Sequence, residues 1–349
     1  PCVIMRGGTS KAIVFARDDL PSDPGEANRL LLAAFGSPDI RQVDGLGGAD
    51  PLTSKLAIVA PSTRQDADIE YQFGQVAIDR PEINYAVSCG NTAAAVGLYA
   101  VQNGMVAAQD PVTSVRVLDL STNRLIVVHV PTSSGEPLTE GDYIMSGVPF
   151  PGVELSVQFQ EPSGAMTGRI LPGNAPVLSL RLADLGDVRF SLVDCGNVYA
   201  LFRAGDLGIT GIEDPESLDH DAEFRTRVER LRSLVFDEYL QEYFAGSDVE
   251  KARLRVKIAA VSSPDDHRSA SCSEASLEKA DIVARIINQE RTHKAFAVTG
   301  ALNLAAAATI RDTVVDEICR FDMKSRMRIR IAHPQGVIEA SINAKHGAG

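Results

Sequence analysis

Two short stretches hold the residue types best able to do chemistry. Ser88-Cys89-Gly90-Asn91-Thr92 gathers two hydroxyls, a thiol and an amide around a glycine, directly before the Ala-rich run Asn91–Val101. That run reads as a helix, and a helix start offers unpaired N–H groups and roughly half a positive charge, which suit a carboxylate. The same position lowers the pKa of a cysteine, leaving Cys89 open as acid, base or nucleophile. The plainer reading is helix capping by Ser88 or Asn91. The second stretch is Asp50-Pro51-Leu52-Thr53-Ser54-Lys55, with Lys55 at the entry to the apolar strand Leu56–Ala60. Local sequence favours a solvated lysine there, because lysine is rarely buried. Tucked into a cleft, however, desolvation would leave a neutral amine able to act as a base.

The remaining cysteines and histidines point elsewhere. Cys2, Cys195, Cys272 and Cys319 are scattered, with no CxxC spacing, so a zinc site or disulfide framework is not expected. Cys2, Cys195 and Cys319 read as small buried hydrophobes. His129, His220, His267, His293, His333 and His346 sit in no cysteine-hydrolase context. The loop Asp44-Gly45-Leu46-Gly47-Gly48-Ala49-Asp50 lacks the lysine-serine of a phosphate loop and reads as a conformationally demanding turn. With no HExxH and no GxGxxG after a strand, neither a metal nor an organic cofactor is expected.

The elements that must position these residues alternate between strands and helices. Cys2–Met5 and Ala12–Ala16 flank Arg6-Gly7-Gly8-Thr9-Ser10-Lys11. Glu26–Phe35 reads as a helix with Ser22 or Asp23 as cap, Pro24 in the first turn and Gly36 as its stop. Ile69, Tyr71 and Phe73 alternate in a strand, and Val115–Leu120 with Leu125–Val130 forms a hairpin. Asn91–Val101 has no polar face, which predicts a helix wrapped on all sides.

The segment from Pro131 to about Pro176 is rich in Gly, Pro and Ser, and the expected domains are 1–175 and 176–349. Beyond it, Val177–Leu182 and Val188–Val193 pair around Leu185-Gly186-Asp187. Phe224, Val228, Leu231 and Val235 mark one face of a helix over Glu223–Leu240. Arg255–Val261 reads as a strand, Leu277–Ile287 as a helix, and Met327–Ile331 with Val337–Ile342 as a closing hairpin.

An internal echo joins the halves. Lys55-Leu56-Ala57-Ile58-Val59, then Tyr85 to Asn91 and an Ala-rich helix, recurs as Lys257-Ile258-Ala259-Ala260-Val261, then Phe296-Ala297-Val298-Thr299-Gly300 and the helix Leu302–Ala308. A duplicated domain would turn two helix starts toward a common cleft, with Thr299 and Gly300 as the thinner copy of the Cys89 site. Thr299 reads equally as a helix cap.

Bulk properties narrow the function. The chain has 349 residues, enough for two domains, and a formal net charge of -12, against a general nucleic-acid binder. Trp is absent and aromatics are 5%, so base-stacking platforms are not expected. No apolar run reaches the roughly 18 residues of a membrane span. A cytoplasmic enzyme is the default.

Taken together, Met5–Lys11, Asp44–Lys55, Ser88–Gly97, Thr167–Pro172 and His293–Ala308 resemble the PrpF-like family, relatives of diaminopimelate epimerase, in the family's order along nearly the whole chain. The resemblance implies an α/β (α+β) fold of two epimerase-like domains, each a mixed sheet curled around a central helix, with the active site in the interdomain cleft. It further implies Lys55 as principal acid/base and Cys89 beside the substrate. Epimerases of this superfamily use two facing thiols, whereas here the counterpart of Cys89 is Thr299 or Gly300, so a lysine-dependent 1,3-allylic proton shift fits better than two-thiol racemisation. Arg6, Thr9, Ser10, Ser54, Gly90, Asn91, Thr92, Thr299 and Gly300 are the expected substrate-binding residues. Within the family, 4-oxalomesaconate in aromatic-acid degradation is the first choice on the compact length of the chain. Methylaconitate or methylitaconate isomerisation is the runner-up. A polycarboxylate-binding protein without catalysis is the alternative of another class. The expected partner is a small polycarboxylate, with no nucleic acid and no membrane, and a homodimer is compatible. Two departures stand out: Pro172 is followed directly by Gly173-Asn174, and Gln335 replaces a small hydroxyl residue in His333-Pro334-Gln335-Gly336.

Overall fold

The structure, a computed structural model, describes residues 1–182, 186–267, 274–288, 291–320 and 327–342, apart from the side chains of 251 and 274–276. Cys272, the turn residue Leu185 and the tail 344–349 lie outside the described residues. The chain divides into two compact units, Pro1–Pro162 and Ser163–Gly349, parting within the Gly-, Pro- and Ser-rich stretch. Residues after Ser163 join the second unit because Asp194 gathers them. Its carboxylate accepts from the backbone N–H groups of Met166 and Thr167 and from the Thr167 hydroxyl, at 2.9, 2.7 and 2.8 Å.

In the first unit, β1 (Val3–Gly7), β2 (Ser10–Ala16), β3 (Lys55–Pro61), β4 (Ile69–Val76), β5 (Ile83–Asn84), β6 (Val112–Asp119), β7 (Arg124–Ser133), β8 (Glu136–Pro137) and β9 (Ser156–Phe159) form a nine-stranded mixed sheet. Its path runs β1-β2-β3-β4-β6-β7-β8. Helix α1 (Pro24–Phe35) is set by its ends. Asp23 accepts from the Glu26 N–H, Pro24 opens the helix, and Gly36 closes it at φ 76. Its Leu31 and Phe35 pack with Ile13, Phe15, Leu56 and Ile58 on one face of the sheet.

Helix α2 (Gly90–Gln102) takes the other face and is buried along nearly its whole length, as the missing polar face predicts. It packs against β1 to β4 and β6 to β9. Laid flat, the strands β1 to β7 of the path would span roughly 24 Å at about 4.8 Å apart, more than twice a helix diameter. The sheet therefore curls around α2. Small side chains make this fit: Ala93, Ala95 and Ala100 pack under Val14, Ala57, Phe73, Val117 and Val128. A Cβ on Gly97 would sit 2.5 Å from the Val128 side chain.

The second unit has a seven-stranded sheet in chain order: β10 (Leu178–Leu182), β11 (Gly186–Asp194), β12 (Val198–Arg203), β13 (Lys257–Ser262), β14 (Ile282–Ile287), β15 (Arg328–His333) and β16 (Gly336–Ser341). Helix α3 (Ala222–Val235) buries Phe224, Val228, Leu231 and Val235 against one face, the four residues its periodicity singled out. Helix α4 (Val298–Thr309) packs on the other face, against Tyr199, Leu201, Ala259, Val261, Ala284, Ile286 and Ile331.

One expected element is corrected. Leu277–Ile287 is not a helix: a short helix ends at Lys279 and Ile282–Ile287 is β14. The run Ile-Val-Ala-Arg-Ile-Ile is buried on both faces, and β-branched residues in a central strand carry no alternation to reveal it.

The echo extends to topology. The path β1-β2-β3-β4-β6-β7 pairs antiparallel, parallel, antiparallel, parallel, antiparallel. The path β11-β12-β13-β14-β15-β16 repeats that order. Lys55 and Lys257 open the matching strands β3 and β13, and α2 and α4 stand at matching points in the two paths.

Candidate active site

The chemistry-bearing residues of the first unit meet at one end of its sheet. The turn between β1 and β2, the start of β3, the end of β4 and the start of α2 share that end. The turn presses directly on the helix. A Cβ on Gly7 would lie 2.0 Å from the Asn91 carbonyl oxygen, and one on Gly8, at φ 54, would lie 2.7 Å from Asn91 Oδ1. Only glycine fits the first position; at the second, a side chain would be strained by the left-handed backbone and would push the Asn91 amide aside. Asn91 Nδ2 in turn donates to Thr9 Oγ1 at 3.0 Å and to Ser10 Oγ at 3.5 Å.

Lys55 is 8% exposed, so the solvated reading of its local sequence is corrected. Alternation explains the burial. Ala57 and Val59 face α2, and Lys55 shares their parity at the end of the row. Its Nζ donates to Gln75 Oε1 at 2.8 Å and lies over the Phe73 ring, 5.3 Å from the centroid. A carbonyl oxygen and an aromatic face both suit an ammonium.

Cys89 is the N-cap residue of α2, with extended backbone (φ -136, ψ 103) and no side-chain bond capping the helix. Ser88 does not cap either: its hydroxyl donates to Asp119, which is 1% exposed. The N–H groups of Gly90, Asn91 and Thr92 belong to the first turn, where a helix supplies no acceptors of its own. The thiol accepts from Thr92 Oγ1 at 3.3 Å. Beneath it, the Tyr71 hydroxyl donates to the Cys89 carbonyl at 3.4 Å. Burial foremost, then the nearby Cys89 and Asp119, push the Tyr71 pKa well above its ordinary value, so this phenol stays protonated.

The other expected residues fall into distinct settings. Arg6 is exposed and donates to the Gly8 carbonyl at 3.2 Å. Ser54 is fully buried and gives its hydroxyl to Gln42 Oε1 at 2.7 Å, which ties the Gly-rich loop to the start of β3. Thr299 and Gly300 lie in the second unit, at the start of α4. The N-cap of α4 is Ala297, so Thr299 does not cap it. Counted from the helix start, Ala297 stands where Cys89 does, and again no thiol is found there. Thr299 Oγ1 accepts from Asn197 Nδ2 at 3.2 Å. A Cβ on Gly300 would meet Ile286 Cδ1 at 2.7 Å, so this glycine answers to packing.

Cys195 is the thiol close to that helix start. It is 4% exposed, its N–H donates to Asn303 Oδ1, and burial foremost, with Asp194 beside it, pushes the thiol up to about 12. Such a thiol is inert, as its reading as a small hydrophobe requires. Cys2, given the same reading, is exposed. Sequence reasoning missed Gln75 and Asp119. Each continues a buried row with a polar residue: Tyr71, Phe73, Gln75 on β4 and Val115, Val117, Asp119 on β6. A polar side chain at the end of an apolar stripe was the available signal.

Comparison with known proteins decides the family. The PrpF protein family model matches residues 1–349. The chain belongs to the PrpF family.

Within that family the 3-methylitaconate isomerase of Eubacterium barkeri is 36% identical over 99% of this chain and 91% of its own length. The 4-oxalomesaconate tautomerase of Pseudomonas putida is also 36% identical, over 99% of this chain and 90% of its own. A crystal structure of methylitaconate-delta-isomerase superposes with a TM-score of 0.77 at 34% identity, covering 99% of this chain and 89% of that one. This PrpF-family chain is an isomerase. Identity does not rank the two named substrates, and the near-equal coverage removes chain length as a ground for preferring 4-oxalomesaconate.

Proposed function

We propose that this PrpF-family isomerase moves a double bond in an unsaturated di- or tricarboxylate by a 1,3-allylic proton shift, with Lys55 as the principal acid/base. The observation that carries the reading is the burial of the Lys55 amine at the end of the sheet where α2 begins. As a neutral amine, Lys55 takes a proton from a carbon next to both a carbonyl and the double bond. The C–H electron pair enters the conjugated system as a dienolate. The resulting ammonium, or Cys89, returns a proton at the far end of the allyl system, and the double bond has moved with no net gain or loss of electrons.

Developing charge on the dienolate oxygen needs fixed donors, and the first-turn N–H groups of Gly90, Asn91 and Thr92 supply them. Arg6, Thr9 and Ser10 hold a carboxylate on the adjoining turn. Ser54 acts by fixing the loop through Gln42. Thr299 and Gly300 belong to the proposed substrate-binding set through the start of α4. 4-Oxalomesaconate, 3-methylitaconate and 2-methylaconitate all carry the required C–H bond. The reading is of this class, with 4-oxalomesaconate the first acid to assay.

The test incubates each acid in deuterated water with wild type and Lys55→Met. Wild type should exchange the allylic proton and turn over at least one acid, and the variant should lose about 10³-fold in both. Exchange at near wild-type rate in the variant would remove Lys55 as the base. Tight binding of every acid without turnover by wild type would place the isomerase's substrate outside these three acids.

A further inference from the structure

We infer that Gln75 is the positioning residue that holds Lys55 in its reactive placement, an inference that rests on Lys55 being the base. Lys55 and Gln75 are direct partners in the antiparallel β3–β4 register, so their side chains stand together on the face that α2 covers. Gln75 Nε2 donates to the carbonyl oxygens of Pro51 at 3.1 Å and Ser54 at 3.2 Å. Those oxygens can only accept, so the amide has one orientation, with Oε1 toward Lys55 Nζ at 2.8 Å.

The arrangement couples three things. Pro51 and Ser54 lie in the loop that delivers Lys55 to its strand, so one side chain anchors both the loop and the amine. The carboxamide oxygen accepts a hydrogen bond from the ammonium without ever removing its proton. Of the three ammonium protons, one goes to Gln75, and the Phe73 ring covers a second side. Among the described residues no further contact to this amine is made, which leaves its third proton for exchange with substrate. The other titratable groups on elements packed around this end are Cys89 at the start of α2, Tyr71 on β4, Asp119 at the end of β6 and Asp50 in the loop. On β2, Ser10, Ala12 and Val14 bring no charge to this face, and Lys11 turns to the other, where it donates to the Leu46 carbonyl.

The experiment compares Gln75→Met and Gln75→Glu with wild type and Lys55→Met, using the acid of the panel with the highest kcat/KM. Methionine removes the acceptor, so kcat should fall about tenfold with KM within about threefold. The acid limb of the kcat/KM profile should then move to lower pH. Glutamate places a charge against the ammonium, and the same limb should move to higher pH. Opposite displacements support the inference, because mere damage to the fold would not reverse sign between the two. Limbs that superimpose on wild type, or move together, overturn it. Should the methionine variant fail to fold by circular dichroism, Gln75→Asn, one methylene short, takes its place with the same direction expected. Lys55→Met separates the two claims. If it is inactive while the Gln75 profiles superimpose, only Gln75 falls; if it stays active, the base assignment falls with it.

Discussion

Asp119 holds the Ser88 hydroxyl one residue ahead of the helix start at Cys89, and with its other oxygen it receives the N–H and hydroxyl of Ser121 at 2.9 and 2.7 Å. Asp119 closes β6, so a buried carboxylate links the end of that strand to the segment that presents the thiol and the first-turn amides. A helix start without a side-chain cap needs its entering chain fixed from outside, and this contact does so.

Asp119→Ala should therefore destabilise the protein by about 2–3 kcal/mol, because it removes the acceptor of three half-buried hydrogen bonds. Asp119→Asn, which keeps an acceptor, should cost about half as much. Urea unfolding of the two variants checks this. Equal stability for wild type and the alanine variant would show that water satisfies the donors and that the contact fixes nothing.

Cys89→Ser keeps a group able to accept from Thr92 Oγ1 but replaces a thiol with a far weaker acid. If the thiol returns the proton, kcat should fall about 10²-fold with KM little changed. Cys89→Ala should fall by a similar amount. Retention of full turnover by the serine variant would reduce Cys89 to a wall of the site and leave both proton transfers to Lys55.

The elements around this site are largely legible in the sequence because their signals are local. Asp23, Pro24 and Gly36 write the ends of α1, and the Ala-rich run writes a helix enclosed by its sheet. The burial of Lys55 is not legible, since it depends on β3 lying between β2 and β4 and on Phe73 and Gln75 arriving from the next strand. β14 escapes for the opposite reason: wholly buried strands and buried helices share the same apolar composition. The repeat is visible as two matched patches, but its strength comes from strand pairing, which no short motif encodes.

Asn303, wholly buried on α4, ties the loop 195–197 to its helix. Its Oδ1 accepts from the Cys195 N–H at 3.1 Å, and its Nδ2 lies within donating range of the carbonyls of Cys195, Asn197 and Thr299 at 2.9, 3.1 and 2.8 Å. Asn303→Ala should lower stability by about 3 kcal/mol, and Asn303→Asp by a comparable amount, because a carboxylate cannot donate to those carbonyls. Chemical denaturation gives the values. A loss below about 1 kcal/mol for both would mean that the loop holds its shape without Asn303.

His333 should make stability depend on pH. It is 7% exposed, and burial foremost, with Arg285 adding to it, lowers its pKa from 6.5 to about 4. Its Nδ1 accepts from the Gln335 N–H at 3.3 Å, a role that protonation there would end. A folded pKa below the unfolded one means that the unfolded chain takes the proton first. The contribution is thus fully present above pH 6.5 and is lost as pH falls through about 4. Its size is on the order of 3 kcal/mol, and His267, lowered in the same direction mainly by burial, adds to the slope. His333→Asn keeps an acceptor near Nδ1 but does not titrate. Urea unfolding between about pH 7 and about pH 4 should give a shallower decline for this variant than for wild type. Parallel declines would show that the imidazole is solvated or already charged in the folded protein.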